Sequence, residues 1–226
     1  MVRLYKGDMN KAEHNTLVDD FLNIDLQLKE GGVHLLDELT KNSKYTGKQI
    51  PKDEFIHFPS EDVVDSNTGS QYFLHRHSSE LIEDSIHVHY FKRWRPIGLN
   101  LPLGDTITTH LAALEFDCLG NPLGWFTVNQ WVVADYWQPA RDTINLFKDW
   151  KINSADDGRG ESINPKCHEW LEAYMKLSLH NDIYELLVDR DEKLDALVEC
   201  NPDKNVFENR EIEILGYRKL TNRIAK

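Results

Sequence analysis

Two His-x-His motifs lie close together in the chain, and their spacing limits the conformation that this segment can take. The motifs are His75-Arg76-His77 and His87-Val88-His89. In a β-strand, side chains at positions i and i+2 point to the same face, so each motif presents two imidazoles together if its backbone is extended. If the two strands pair antiparallel, all four imidazoles share one small patch of sheet, because cross-strand neighbours lie about 4.5–5.5 Å apart.

The residues around these motifs favour strands. Aromatic and β-branched residues bounded by turn formers predict four strands, at 71–78, 86–94, 106–117 and 123–133. A polar loop near 79–85 joins the first two, and the turn formers of 118–122 make a hairpin of the other two. A short strand is predicted at 211–215. Residues 41–68 are rich in turn formers and are predicted to form a long ordered loop.

Helical periodicity marks both ends of the chain. Apolar residues recur at helical spacing in five segments, which are 9–30, 33–39, 139–150, 165–180 and 182–199. We therefore predict an α+β protein with a central antiparallel β-sheet flanked by N-terminal and C-terminal helices. The expected single domain, 1–226, comprises a helical N-terminal part (1–45), a histidine-rich sheet (55–135) and a mainly helical C-terminal part (136–226).

Charge and cysteine usage narrow the function classes. The net charge of -12 argues against nucleic acid as a partner, because a nucleic-acid-binding surface needs a basic footprint. No window approaches eighteen consecutive apolar residues, so we expect no membrane span. Three cysteines without paired spacing fit a reducing compartment, and each is interpreted as a small buried apolar residue. With no secretory signal expected at the N-terminus, we place the protein in the cytoplasm.

The histidine patch is expected to hold a divalent transition metal ion. Clustered imidazoles repel one another if protonated and need hydrogen bonds if they are neutral and buried. A divalent cation meets both requirements, since neutral imidazole is a preferred ligand of zinc, iron and copper. His75, His87 and His89 are the first candidate ligands, and His77 and His110 are the next. The ligand types do not choose among the three metals.

An enzyme is the first hypothesis for what such an ion does. Three facial histidines leave coordination positions open for water or substrate, which is typical of catalytic sites. The reaction would be hydrolytic or oxygen-activating, on a small-molecule substrate that the sequence does not name. Gln130, expected on a strand beside His110, and the loop carboxylate Glu83 are the candidate catalytic groups for positioning or acid–base work. The remaining helical histidines are interpreted as surface or helix-end residues, and they are His14, His34, His168 and His180.

Two other hypotheses use the same residues. The first is a non-catalytic metal carrier, sensor or accessory protein whose acidic surface meets a protein partner. The second is a structural protein in which the histidines are only hydrogen-bonded. A closed four-ligand site favours the carrier, whereas an open site in a pocket favours the enzyme. A homo-oligomer is compatible with all three.

The order of short motifs along the chain resembles a known family. The motifs are His57-Phe58-Pro59, Ser70-Gln71-Tyr72, the two His-x-His pairs, His110-Leu111-Ala112 and Thr127-Val128-Asn129-Gln130-Trp131. This order is similar to an uncharacterised bacterial family of about this length, known only as a domain of unknown function. The resemblance covers most of the chain and implies no established activity. It draws attention to His57, Asp62 and Asp65, and the chain departs from it at Asp84-Ser85-Ile86, where the family often has Glu-His-Gly.

Overall fold

Strand order in the sheet follows the order of the strands in the chain. The computed structural model describes residues 10–41, 57–77, 85–117, 119–153 and 163–220. Within them the strands are β1 (His57–Val64), β2 (Ser70–His77), β3 (Ser85–Trp94), β4 (Ile107–Phe116), β5 (Pro122–Val128) and β6 (Ile214–Lys219). Every neighbouring pair is antiparallel, and together they form one six-stranded sheet in the order β1-β2-β3-β4-β5-β6.

Helices precede and follow the first five strands. They are α1 (Lys11–Glu30), α2 (Leu35–Thr40), α3 (Gln130–Val133), α4 (Ala140–Phe147), α5 (Pro165–Ser178) and α6 (Tyr184–Cys200). A π-helical turn, Leu179–Ile183, joins α5 to α6, and a 3-10 turn, Val206–Glu208, precedes β6. The predicted α+β class, with an antiparallel sheet flanked by N-terminal and C-terminal helices, is therefore confirmed. No helix in the described ranges is both long and apolar enough to cross a membrane.

The two faces of the sheet have different surroundings. Alternate residues such as Tyr72, Leu74, Val88, Tyr90 and Trp125 belong to the main hydrophobic core, which they share with residues of α5 and α6. We call this side the helix face. The intervening residues form what we call the histidine face, which carries Phe73, His75, His87, His89, Phe91 and Phe126. Burial of the helix face stabilises the sheet by the hydrophobic effect, so the opposite face is left to present polar groups.

A β-bulge sets the orientation of β4. The register pairs His89 with Ala113 but Phe91 with His110, so β4 contains one extra residue between these pairs. A bulge shifts every following side chain to the other face of its strand. His110 consequently lies on the histidine face, whereas Ala112 and Leu114 belong to the main core. Regular alternation along the strand predicts that His110 shares a face with Ala112 and Leu114, and the bulge makes this prediction wrong.

Three predicted element boundaries also need correction. The long loop expected at 41–68 contains β1, and of this segment residue 41 and residues 57–68 lie in the described ranges. The strand expected at 123–133 ends at Val128, because the Asn129 side chain caps α3 by accepting a hydrogen bond from the Gln130 backbone N–H at 2.9 Å. The strand expected at 211–215 lies instead at 214–219.

Two predictions about single side chains are wrong as well. His168 is buried rather than superficial, with its Nδ1 3.1 Å from the Tyr72 hydroxyl oxygen. Cys167 is buried as expected, but Cys200 is exposed at the end of α6. Cys118 lies outside the described residues.

Candidate metal centre

Three buried imidazoles meet in the middle of the histidine face. His75 and His87 are directly opposite each other across β2 and β3, and His89 follows on the same face of β3. The ring centroids of His75 and His87 are 5.3 Å apart, and those of His87 and His89 are 4.9 Å apart. Each ring offers one nitrogen, and the three nitrogens lie within 4.8 Å of one another. This histidine triad is close enough to bind a metal ion.

A fourth histidine contacts the triad from β4. The Nε2 atom of His110 lies 3.1 Å from the Nδ1 atom of His89, and both rings are buried. Burial lowers the pKa of His89 well below its ordinary value, and the neighbouring histidines lower it further. Burial, followed by the positive charge of Arg190, lowers the pKa of His110 to about 3. Both imidazoles are therefore neutral at neutral pH, which is the protonation state that metal ligation requires.

The segment after α3 fixes the backbone of His110. The Asp135 carboxylate accepts a hydrogen bond from the His110 backbone N–H at 2.9 Å. The Gln130 side-chain amide donates to the Asp135 carbonyl oxygen, also at 2.9 Å. Burial raises the pKa of Asp135 to about 6, against the opposing influences of the His110 N–H and of Arg190. Gln130 thus holds the Asp135 segment in place.

A chain of polar side chains runs along the β1–β2 side of the triad. The Nδ1 atom of His57 lies 3.2 Å from an Asp62 carboxylate oxygen. The other Asp62 oxygen accepts a hydrogen bond from the Gln71 amide, and the Gln71 carbonyl oxygen accepts one from Arg93 Nε at 2.6 Å. The His57 ring stacks on Phe73, with 3.9 Å between centroids, and lies 5.6 Å from the ring of His75. His57 is therefore held beside the triad from two directions.

The triad opens into a pocket of about 350 Å³. This volume lies at the lower end of the range for small-molecule sites. Its lining comprises His57, Asp62, Gln71, Phe73, His75, His87, His89, Phe91, Thr108, Phe126, Val128, Val132, Val133, Ala134, Glu213 and Ile214. The pocket therefore lies between the polar chain on β1–β2 and an apolar wall on β5, α3 and β6.

The structure brings together some of the predicted site residues and separates others. His75, His87 and His89 form the triad, and His110 contacts it through His89. The expectation that Gln130 lies on a strand is wrong because it begins α3, and it does not line the pocket. A catalytic role for Gln130 stays a prediction. Glu83 and the side chain of His77 lie outside the described part of the structure.

Sequence reasoning placed His57 and Asp62 in a loop and assigned them no role. The structure places them on β1 beside the pocket. The only signal toward them was the family resemblance, because Pro59 and the surrounding turn formers concealed the strand. Asp65, the third residue that the resemblance emphasised, is buried at the end of β1, where it accepts hydrogen bonds from the backbone N–H groups of Asn67, Thr68 and Asn153.

The fold and the site together define an α+β protein with a buried histidine triad in a pocket on one face of an antiparallel sheet. The model of a family described as Domain of unknown function (DUF6969) matches residues 15–220. The chain belongs to this family, and the resemblance seen in the sequence is confirmed. No curated protein and no solved structure matches the chain.

Proposed function

We propose that this protein is a metal-dependent enzyme that acts on a small molecule. One divalent transition metal ion would bind through His75, His87 and His89. The observation that carries the proposal is the triad itself, in which three buried nitrogens lie within 4.8 Å of one another on the wall of a pocket. Neutral imidazoles suit zinc, iron and copper, so the donor set fits these ions.

The pocket favours an enzyme over a carrier. Three protein ligands leave at least one coordination position open, and the triad faces a pocket that can admit water and a small molecule. A divalent ion held there supplies Lewis acidity and lowers the pKa of bound water, which suits hydrolysis, while a redox-active ion suits oxygen activation. A carrier or sensor would instead close the coordination shell with a fourth protein ligand.

The chain's own residues prepare the site for such an ion. His110 engages one nitrogen of His89 and leaves the other for coordination. Asp62 engages the Nδ1 atom of His57 and so orients this ring at the wall of the pocket. We assign His57 to the positioning of substrate or water, because it is a polar pocket side chain on the β1–β2 side whose orientation is fixed by a carboxylate.

Metal content tests the proposal. The full chain is produced without a histidine tag, and its transition metals are measured by mass spectrometry before and after titration with Zn²⁺ or Co²⁺. We expect about one equivalent to bind and the Co²⁺ form to show visible absorption typical of nitrogen ligation. The double variant H87A/H89A should lose binding, whereas H14A, on α1, is the matched control. Binding of less than about a tenth of an equivalent at neutral pH would favour the purely structural hypothesis.

A further inference from the structure

The walls of the pocket carry information about the ligand that the triad alone does not. We propose that the substrate is a small uncharged amphiphile with a metal-coordinating polar head and an apolar tail, an inference that rests on the proposed metal site. The head would lie at the triad and the polar chain of His57, Asp62 and Gln71. The tail would lie against an apolar wall formed by Phe126, Val128, Val132, Val133 and Ile214.

The apolar wall is built from three elements that converge on one side of the triad. Phe126 and Val128 come from β5, Ile214 comes from β6, and Val132 and Val133 come from α3. These residues pack together with Ala113 as a separate hydrophobic cluster. Val132, Val133 and Ile214 are only partly buried. They retain apolar surface that a ligand can cover, and covering it is favourable because that surface leaves water.

The opposite wall offers hydrogen bonds at fixed positions. Asp62 joins His57 to Gln71, and Gln71 is itself held by Arg93. Side chains that are held by one another lose little conformational freedom when a ligand binds, so their contacts with the head are preorganised. The triad on β2 and β3 lies between β1, which carries His57 and Asp62, and the apolar wall. The substrate would therefore bind with its head toward the polar chain and its tail toward the apolar wall.

The charge of the described pocket lining disfavours phosphorylated and polyanionic substrates. No lysine or arginine is among the pocket-lining residues in the described ranges, whereas Asp62 and Glu213 are. Arg93 reaches the polar chain, but its Nε donates to Gln71. Sites for phosphate groups normally supply arginine or lysine donors, and the part of the pocket lining that the structure describes supplies neither. An uncharged head avoids the repulsion that the two carboxylates would impose.

Volume limits the length of the tail. A pocket of about 350 Å³ holds roughly a dozen water-sized groups at about 30 Å³ each. An amphiphile of about ten non-hydrogen atoms therefore fills it, which corresponds to a tail of roughly five or six carbons behind a small head.

A homologous series of hydroxamic acids tests this inference. Hydroxamic acids are neutral in solution near neutral pH and chelate divalent metals through two oxygens after releasing one proton to water, so they supply a constant head while the tail is varied. Acetohydroxamic, butyrohydroxamic and hexanohydroxamic acids are titrated into the Co²⁺-loaded full chain, and binding is followed by the visible spectrum. Each buried methylene should raise the affinity about three- to fourfold, from about 0.8 kcal/mol per CH₂. Relative to its affinity for aqueous Co²⁺, phenyl phosphate should gain less from the protein site than benzohydroxamic acid does.

Variants locate the tail on the proposed wall. V132N, on the partly exposed α3, should flatten the dependence of affinity on chain length, so that hexanohydroxamic acid loses more affinity than acetohydroxamic acid does. V198N, at an exposed position of α6, is the matched control and should behave like the wild-type chain. The series measured on the unchanged chain decides the inference by itself, so failure of V132N to fold would not affect it.

The outcomes separate this inference from the proposed function. If no Co²⁺ binds, the metal proposal itself is wrong. If Co²⁺ binds but affinity does not change with tail length, the amphiphile inference is overturned and the metal site stands. The same holds if phenyl phosphate, relative to its affinity for aqueous Co²⁺, gains as much from the protein site as benzohydroxamic acid.

Discussion

The Nδ1 atom of His89 lies 3.1 Å from the Nε2 atom of His110, and both imidazoles are buried. If His89 donates this hydrogen bond, its Nε2 carries the lone pair and can bind a metal. In most protein metal sites the outer partner of a ligating histidine is a carboxylate or a carbonyl oxygen. Here it is a neutral imidazole, which adds no negative charge beside the ion.

We predict that His110 sets metal affinity without ligating the metal. H110L removes the acceptor for His89 and should weaken Zn²⁺ or Co²⁺ binding about 10- to 100-fold, the usual effect of losing such a partner. H110Q keeps an acceptor oxygen and should recover most of the affinity. The measurement is competition with a chelator of known affinity. Equal losses in the two variants would show that His110 acts only through packing.

Acid should destabilise the metal-free protein. The folded-state pKa values of His89 and His110 are lowered from 6.5. As the pH falls below about 6.5, these histidines therefore become protonated in the unfolded chain but stay neutral in the folded chain, which favours unfolding. The raised pKa of Asp135, about 6, acts in the opposite direction between about pH 6 and 4. The half-buried His180 acts like the other two histidines. The lowered histidines outnumber the one opposing carboxyl group, so the unfolded chain binds more protons near pH 5 and the free energy of unfolding should have a positive slope against pH.

Urea unfolding in the presence of a chelator, at pH 7, 6 and 5, measures this slope. D135N keeps an oxygen that can accept from the His110 N–H but removes the opposing carboxyl group. It should therefore steepen the slope. At pH 7 it should also stabilise the protein, because burial disfavours the charged carboxylate that the variant removes. We expect about 1 kcal/mol, since Asp135 is partly exposed and solvent screens part of its charge. A free energy of unfolding that stays constant from pH 7 to 5 would contradict the assignment of these histidines as neutral.

Metal binding should raise thermal stability. A ligand present at about 100 times its dissociation constant stabilises the folded state by about 2.7 kcal/mol. For a chain of this size that corresponds to a Tm increase of roughly 5–10 °C. Differential scanning calorimetry with and without Zn²⁺ should show this increase in the wild-type chain and in H14A. H87A/H89A should show none, and a similar increase in this variant would place the ion elsewhere.

Gly124 is predicted to be intolerant of any side chain. A Cβ at this position would lie 2.5 Å from the Tyr217 hydroxyl oxygen, which donates to the buried Glu115 carboxylate at 2.7 Å. G124A should push Tyr217 away and leave Glu115 without this donor, at a cost of about 1–3 kcal/mol. Y217F keeps the ring carbon Cζ, 2.6 Å from the added Cβ, so the ring must still shift, but the hydrogen bond to Glu115 is already absent. G124A introduced into Y217F should therefore cost less. Urea unfolding of the four proteins in a double-mutant cycle gives the coupling.

The triad and the fold class were predictable because they depend on local periodicity. The i, i+2 spacing of His87 and His89 places both rings on one face whatever the rest of the chain does. The contact between His110 and His89 was not predictable, because it depends on the bulge in β4. Without that extra residue, His110 would pair with Lys92 and point toward the helix face.

The elements missed by the sequence share a different cause. The segment from Thr127 to Val133 is short and rich in Val, and periodicity alone cannot assign so short a segment to a helix or a strand. The Asn129 side chain decides the outcome by capping α3 and donating to the Val206 carbonyl oxygen at 3.0 Å, a contact with a distant part of the chain. His57 and Asp62 were missed because β1 contains Pro59 and forms the edge of the sheet, where proline is tolerated.

The last strand reaches the sheet from a distant part of the chain. β1 to β5 follow one another closely, whereas β6 pairs with β5 only after the helical segment has been made. Contacts between residues far apart in sequence form late in folding. During synthesis, β5 is therefore expected to be an unpaired edge strand until β6 has been synthesised. A polypeptide truncated before Ile214 would lose one side of the pocket and would keep the edge of β5 exposed. Such an exposed edge can pair with strands of other copies, so we expect the truncated polypeptide to aggregate.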